Sequence, residues 1–211
     1  MPGSSPAAIG IMGGTFDPVH LGHLRTAIEF AESFSLQEVR LLPSRYPPHR
    51  QTPHASPEDR CQMLMLAVEG VKGLFVDEFE LRQHETSYTV RTLQQLRNVV
   101  GESVSIYFAL GSDAFLSIET WQEWKTLFSL ANFVVVSRPG SLVEVNHDFL
   151  RQRVSPFSGI HTAAGAIHFL PVTGLEISST EIRKRIAADK SIHFLLPDAV
   201  ESYIHQHKLY R

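Results

Sequence analysis

A chain of 211 residues, 43% hydrophobic and 19% charged, has material for one domain with a substantial core and is too apolar for a disordered tail. A formal net charge of −3 without a long basic run argues against a nucleic-acid-binding surface as the main function, while leaving room for a local basic pocket. No apolar run reaches membrane-spanning length, MPGSSPAA is not a signal peptide, and the single Cys61 cannot form an internal disulfide, so a cytoplasmic protein without membrane or nucleic-acid partners is expected.

Residues 1–8 read as a flexible lead-in and 9–211 as one domain. Ile9 to Met12 is an apolar strand ended by Gly13-Gly14. Leu24, Ala27, Ile28 and Ala31 then recur at helical spacing, which predicts strand, tight loop, helix over this stretch. His20 and His23 fall three apart on one face of the first helical turn. Gly22 keeps that turn bare, and the helix start offers N–H groups and the positive end of the dipole, so the stretch is a candidate anion site. Zinc is poorly served by two histidines with no further ligand cluster nearby.

Glu38 to Leu42 reads as a second strand. The proline-rich PSRYPPHRQTPHASP is a loop carrying Arg45, His49, Arg50 and His54. Ser56-Pro57-Glu58-Asp59 starts a helix with a cap, a first-position proline and early acids. Leu74 to Phe79 is a third strand, and Ser87 is expected to cap a helix with Val90, Leu93 and Leu96 on its apolar face.

VSIYFAL, 104–110, reads as a central parallel strand buried on both faces. Gly111-Ser112-Asp113 follow at its carboxyl end, where open α/β sheets bind ligands. Trp121 and Trp124 have the spacing of one helix face. Phe133 to Val136 is another strand, 141–166 a short helix with an irregular insertion, and Ile167 to Leu170 the last strand. His147, His161 and His168 read as surface or core residues without a shared role. EISSTEIRKR, 176–185, opens with Ser178 and Glu181 at capping-box spacing. Arg183, Lys184 and Arg185 then crowd the early helix, against the dipole, a conflict that a bound polyanion would relieve. A capped amphipathic helix follows Pro197. The alternation of strands and helices specifies a doubly wound, Rossmann-like parallel α/β sheet flanked by helices, a single domain with a small C-terminal helical part.

The string GGTFDPVHLGH resembles the HxGH signature of the nucleotidyltransferase superfamily, in the form typical of bacterial nicotinate mononucleotide adenylyltransferases. The likeness continues through Pro43 to His49, the SYT segment at Ser87–Thr89 with Thr92 and Leu93, the G-x-D at Gly111 and Asp113, the tryptophan pair, and ISSTxIR at 177–183. Transfer of AMP from ATP to nicotinate mononucleotide is the activity this resemblance implies, giving deamido-NAD and pyrophosphate. His20, His23 and Arg183 would be catalytic. ATP would meet Gly13, Gly14, Thr15, Phe16, His20, Gly22, His23, Gly111, Asp113, Ile177, Ser178, Ser179, Thr180 and Arg183. His49 and Arg50 would neutralise phosphate from the loop. Phe16, Tyr88, Thr89, Asp113, Trp121 and Arg138 would face the mononucleotide. No protein metal site is implied; Mg²⁺ would come with ATP. Arg50 stands where the family often has Lys. A homo-oligomer stays open. Two alternatives share part of the pattern: a sibling pantetheine-phosphate adenylyltransferase or cytidylyltransferase, and a nucleotide-sensing protein that has kept the fold.

Overall fold

The computed structural model describes residues 8–45, 52–83, 87–137, 140, 143–159 and 161–211. Its strands are β1 (Ala8–Gly14), β2 (Val39–Pro43), β3 (Leu74–Val76), β4 (Ser105–Gly111), β5 (Asn132–Ser137) and β6 (Ile167–Pro171). The helices between and after them are α1 (Leu21–Ser33), α2 (Pro57–Val68), α3 (Thr89–Val100), α4 (Ser112–Leu116), α5 (Trp124–Leu130), α6 (Asp148–Arg151), α7 (Ser179–Ala187) and α8 (Asp198–Gln206). All strands join one parallel sheet in the order β3-β2-β1-β4-β5-β6, so the expected doubly wound fold is the observed one. β1 opens at Ala8, one residue before the expected boundary; residues 1–7 lie outside the described ones.

Strand pleating sorts successive side chains to opposite faces. Ile9, Ile11, Ile106, Phe108, Leu110, Phe133 and Val135 fill one core. Met12, Leu41, Tyr107, Ala109 and Val134 face the other, where Leu24, Ala27 and Phe30 of α1 cover them. Burial on both faces is why these strands are apolar throughout. The order reverses between β1 and β4, which pair from Ala8↔Ser105 to Met12↔Ala109, and the loops beyond Gly14 and Gly111 open there. α8 packs the C-terminal part against α2, with the Tyr203 hydroxyl donating to Asp59 at 2.9 Å. Among the described residues, no helix is long and apolar enough to cross a membrane.

Local expectations fail where side chains compete with the regular pattern. β3 ends at Val76, not Phe79, because the Asp77 carboxylate accepts the Phe79 backbone N–H at 3.0 Å and turns the chain into a 3₁₀ segment, Phe79–Arg82. Ser87 does not cap α3. Tyr88 holds that position without a side-chain bond, and the Ser87 hydroxyl instead accepts the Arg45 backbone N–H at 3.3 Å. Trp121 and Trp124 do not share a helix face: Trp121 closes a 3₁₀ turn, Ile118–Thr120, and Glu123 at φ 50° breaks the chain before α5. α7 starts only at Ser179, so Lys184 and Arg185 occupy its last turn, where the dipole favours cations. The expected charge conflict is therefore absent. α8 begins after Pro197 with no side-chain cap; Asp198 and Glu201 in its first turn suit the dipole instead.

Candidate functional site at the sheet switch point

At the end of β1 the chain makes a close approach that needs glycine: a Cβ on Gly14 would lie 2.8 Å from the Phe16 ring. Phe16 is itself left-handed, φ 50°, a costly conformation for a bulky residue that its burial holds in place. Its ring meets His23 edge-on, with centroids 5.1 Å apart.

The i,i+3 spacing places the two imidazoles together as expected. His20 and His23 stack with centroids 3.7 Å apart and planes 26° from parallel. His20 is the N-cap residue of α1 and only 6% exposed. Burial pushes its pKa down from 6.5 to about 4, so the ring is neutral at physiological pH. His23 Nδ1 accepts the His20 backbone N–H at 3.3 Å, which assigns the proton of a neutral His23 ring to Nε2. A Cβ on Gly22 would sit 3.0 Å from Cε1 and Nδ1 of His20. Gly22→Ala is therefore expected to displace the His20 ring. Turnover should fall about tenfold or more while the denaturant midpoint moves little, measured by steady-state kinetics beside urea unfolding.

α7 forms the facing element. Ser178 caps it, its hydroxyl accepting the Glu181 N–H at 3.2 Å. The Ser179 hydroxyl donates to the Pro18 carbonyl at 2.9 Å. Arg183 donates from Nη1 to the Asp17 carbonyl at 2.5 Å and from Nη2 to the Thr180 hydroxyl at 3.3 Å. The two motif stretches, far apart in sequence, are thus bolted together through the loop that precedes α1. Arg60, fully buried, is a second bolt: its Nη1 donates to the carbonyls of Thr15 and Ser44, each at 2.7 Å, and its Nη2 to that of Arg45 at 3.2 Å.

These elements enclose an open cleft of about 640 Å³. Gly13, Gly14, Thr15, Phe16, His20, Gly22, His23, Gly111, Asp113, Ile177, Ser179, Thr180 and Arg183 all line it. Ser178, alone among the residues expected around ATP, does not, its hydroxyl being engaged in the cap. The cleft offers histidine, arginine and hydroxyl groups on facing walls and two carboxylates, Asp17 and Asp113. Asp17 already accepts the His54 and Ala55 backbone N–H groups at 2.8 and 3.1 Å. Such a cleft suits a polyanion, and its carboxylates do not form a cage for a resident cation. Among the described residues, the group with metal-ligand spacing is His193, Asp198 and Glu201, outside the cleft lining.

A cytidylyltransferase-like family model matches residues 11–185. A probable nicotinate-nucleotide adenylyltransferase of Hahella chejuensis is 46% identical over 206 residues, covering 95% of this chain and 94% of the relative. One from Pseudomonas fluorescens is 45% identical over 208 residues, with 96% and 97% covered. The chain belongs to the nicotinate-nucleotide adenylyltransferase family. The fold agrees with a solved Plasmodium falciparum nicotinic acid mononucleotide adenylyltransferase complexed with NaAD, at a TM-score of 0.74 and 20% identity, each chain covered to 97%.

Other residues singled out in this adenylyltransferase sequence lie elsewhere. Tyr88, Thr89 and Trp121 are outside the cleft lining; Tyr88 and Trp121 are half-buried against the core on the α3 side of the sheet. His49, Arg50 and Arg138 lie outside the described residues. His147 caps α6, while His161 bonds the Tyr107 hydroxyl and the His168 ring bonds the Ser155 carbonyl, so these three histidines serve structure. Cys61 is buried, and that burial pushes its thiol up to about 11, away from the reactive thiolate form. Sequence reasoning missed Asp17 and Arg60, and also Thr26 and Thr173–Leu175 in the lining. Thr26 was findable, one helical turn beyond Gly22 and His23. The 173–175 segment follows β6, and only the strand order brings it to the cleft.

Proposed function

We propose that this cleft transfers AMP from ATP to nicotinate mononucleotide, giving deamido-NAD and pyrophosphate. The observation that carries this reading is the stacked His20–His23 pair at the head of α1, lining one cleft with Arg183 of α7. A phosphate oxygen of the mononucleotide attacks the α-phosphorus of ATP in line. The new P–O bond forms as the bond to the bridging oxygen breaks, and pyrophosphate leaves with that electron pair. The attacking oxygen is already anionic, so no general base is needed; the protein must overcome repulsion between anions and hold the geometry.

His20 and His23 donate to the α-phosphate and the bridging oxygen. Arg183, with Ser179 and Thr180, holds the β- and γ-phosphates; Ser178 keeps the helix start in place. Gly13 to Phe16 and Gly22 let the nucleotide approach backbone. Gly111 and Asp113 face the ribose side at the end of β4. By the family likeness the mononucleotide would face Phe16, Tyr88, Thr89, Asp113, Trp121 and Arg138, and His49 and Arg50 would neutralise phosphate charge from their loop. Mg²⁺ brought by ATP would supply charge neutralisation, and Asp113, the cleft carboxylate not held by the His54–Ala55 backbone, would be the side chain free to meet it. ATP labelled in the α-phosphate tests the chemistry. The label should appear in a dinucleotide with one pyrophosphate released per label transferred. Label on the protein, or release of orthophosphate, would overturn the direct transfer.

A further inference from the structure

The C-terminal residues reach Asp17, a residue of the cleft lining. After α8 the chain doubles back, with the Leu209 N–H bonded to the Ile204 carbonyl at 3.1 Å and with Lys208 and Tyr210 in the left-handed region at φ 55° and 64°. Two non-glycine residues in that region carry strain, which persists only where surrounding contacts hold it. Those contacts are the packing of Leu209 and Tyr210 against the core and one polar bond: the Tyr210 hydroxyl donates to Asp17 Oδ1 at 2.9 Å.

Asp17 is the junction of the cleft. It is 5% exposed, and each of its oxygens is used. Oδ1 accepts from Ala55 N–H and Tyr210, Oδ2 accepts from His54 N–H, and the backbone carbonyl receives Arg183. The Arg183 guanidinium also lies 3.8 Å from Oδ2. His54 and Arg183 line the cleft, and Ala55 continues the same segment. A rotation of the Asp17 carboxylate would release the His54 wall and change the charge beside Arg183 together. Among the described residues, the Tyr210 hydroxyl is the side chain hydrogen-bonded to this carboxylate, and it opposes the rotation.

We propose that Tyr210 is a positioning residue for nucleotide binding: by fixing the Asp17 carboxylate, it sets where Arg183 and the His54 segment meet the triphosphate. This rests on the adenylyl-transfer reading for its place in turnover, but its effect is on affinity for the triphosphate and is read without any reaction. Neither feature is visible locally in the sequence, where Tyr210 is the penultimate residue of a polar tail.

The test is a double-mutant cycle on the full chain. Affinity for a non-hydrolysable ATP analogue with Mg²⁺ is measured by titration calorimetry in the wild type, Tyr210→Phe, Arg183→Ala and the double variant. Phe keeps the ring in the core and removes only the hydroxyl. Tyr210→Phe is expected to weaken the analogue about tenfold, the scale of a lost hydrogen bond to a charged group. It should raise the KM for ATP in parallel, leave the KM for the mononucleotide unchanged, and weaken the analogue clearly less once Arg183 is gone, only the His54 part of the effect remaining. A variant lacking 210–211 should follow the same pattern. Unchanged affinity in Tyr210→Phe would overturn the proposal. So would an equal loss in the Arg183→Ala background, because a merely structural role is additive. Absence of pyrophosphate release from the wild type would overturn the transfer reading instead, in a separate measurement.

Discussion

Replacing His20 by alanine should lower kcat by about 100- to 1000-fold, the scale of removing one donor from a preorganised site for developing negative charge. The KM for ATP should change far less, since in the proposed arrangement Arg183 and the α7 hydroxyls would still hold the distal phosphates. The magnitude follows from where the ring sits. It is buried, stacked on His23 and held against Gly22, so it is aligned before substrate arrives and little reorganisation is needed in the transition state. Steady-state kinetics on both substrates separate the two effects; an unchanged kcat with a raised KM would make His20 a binding group only.

The same variant carries a stability signature. The His20 pKa is about 4 in the folded protein against 6.5 for the free side chain. Between those values the unfolded chain binds a proton that the native state refuses. Stability contributed by the neutral buried ring is therefore complete above pH 6.5 and declines as pH falls toward 4, by about 3 kcal/mol in all. Urea unfolding across this window should show a shallower slope in His20→Ala than in the wild type. Parallel curves would mean that the ring is protonated normally in the fold.

Arg60→Ala should cost about 3–5 kcal/mol of stability. The guanidinium has no solvent exposure and binds the carbonyls of Thr15, Ser44 and Arg45, tying the β1–α1 loop to the segment after β2. Its loss leaves three carbonyls short of donors and removes a buried cation that interacts favourably with the Asp17 charge. Lysine cannot restore the fork, because one ammonium lacks the spread to reach all three, so Arg60→Lys should recover only part of the loss. Chemical denaturation is the measurement. A drop in midpoint at constant m is expected, and a loss below about 1 kcal/mol would mean that other donors take over the carbonyls.

The fold was legible because its signal is periodic. VSIYFAL announces a strand buried on both faces, and Leu24, Ala27 and Ile28 announce the helix that follows β1. The two ends of the site were legible because each is a local string: His20 and His23 need only one helical turn to meet, and Ser178 needs only its own helix to cap. What joins them was not. Asp17, Arg60 and Tyr210 act on atoms tens to nearly two hundred positions away, and nothing in their immediate neighbours marks them as partners. The misplaced elements have a common cause too. At Asp77, Ser87 and Glu123 a side-chain bond or one left-handed residue overrides a pattern that hydrophobic periodicity alone would continue. Tyr88 and Trp121, drawn from the family likeness, are placed by packing on the α3 side of the sheet, which no spacing rule encodes.

Pyrophosphate release from ATP and Mg²⁺, with nicotinate mononucleotide, nicotinamide mononucleotide and phosphopantetheine offered in parallel, tests the central claim most directly. Strong release with nicotinate mononucleotide is the predicted result, lost in His20→Ala and weakened at low ATP in Arg183→Ala. Release with phosphopantetheine alone, or with none of the three, would contradict it.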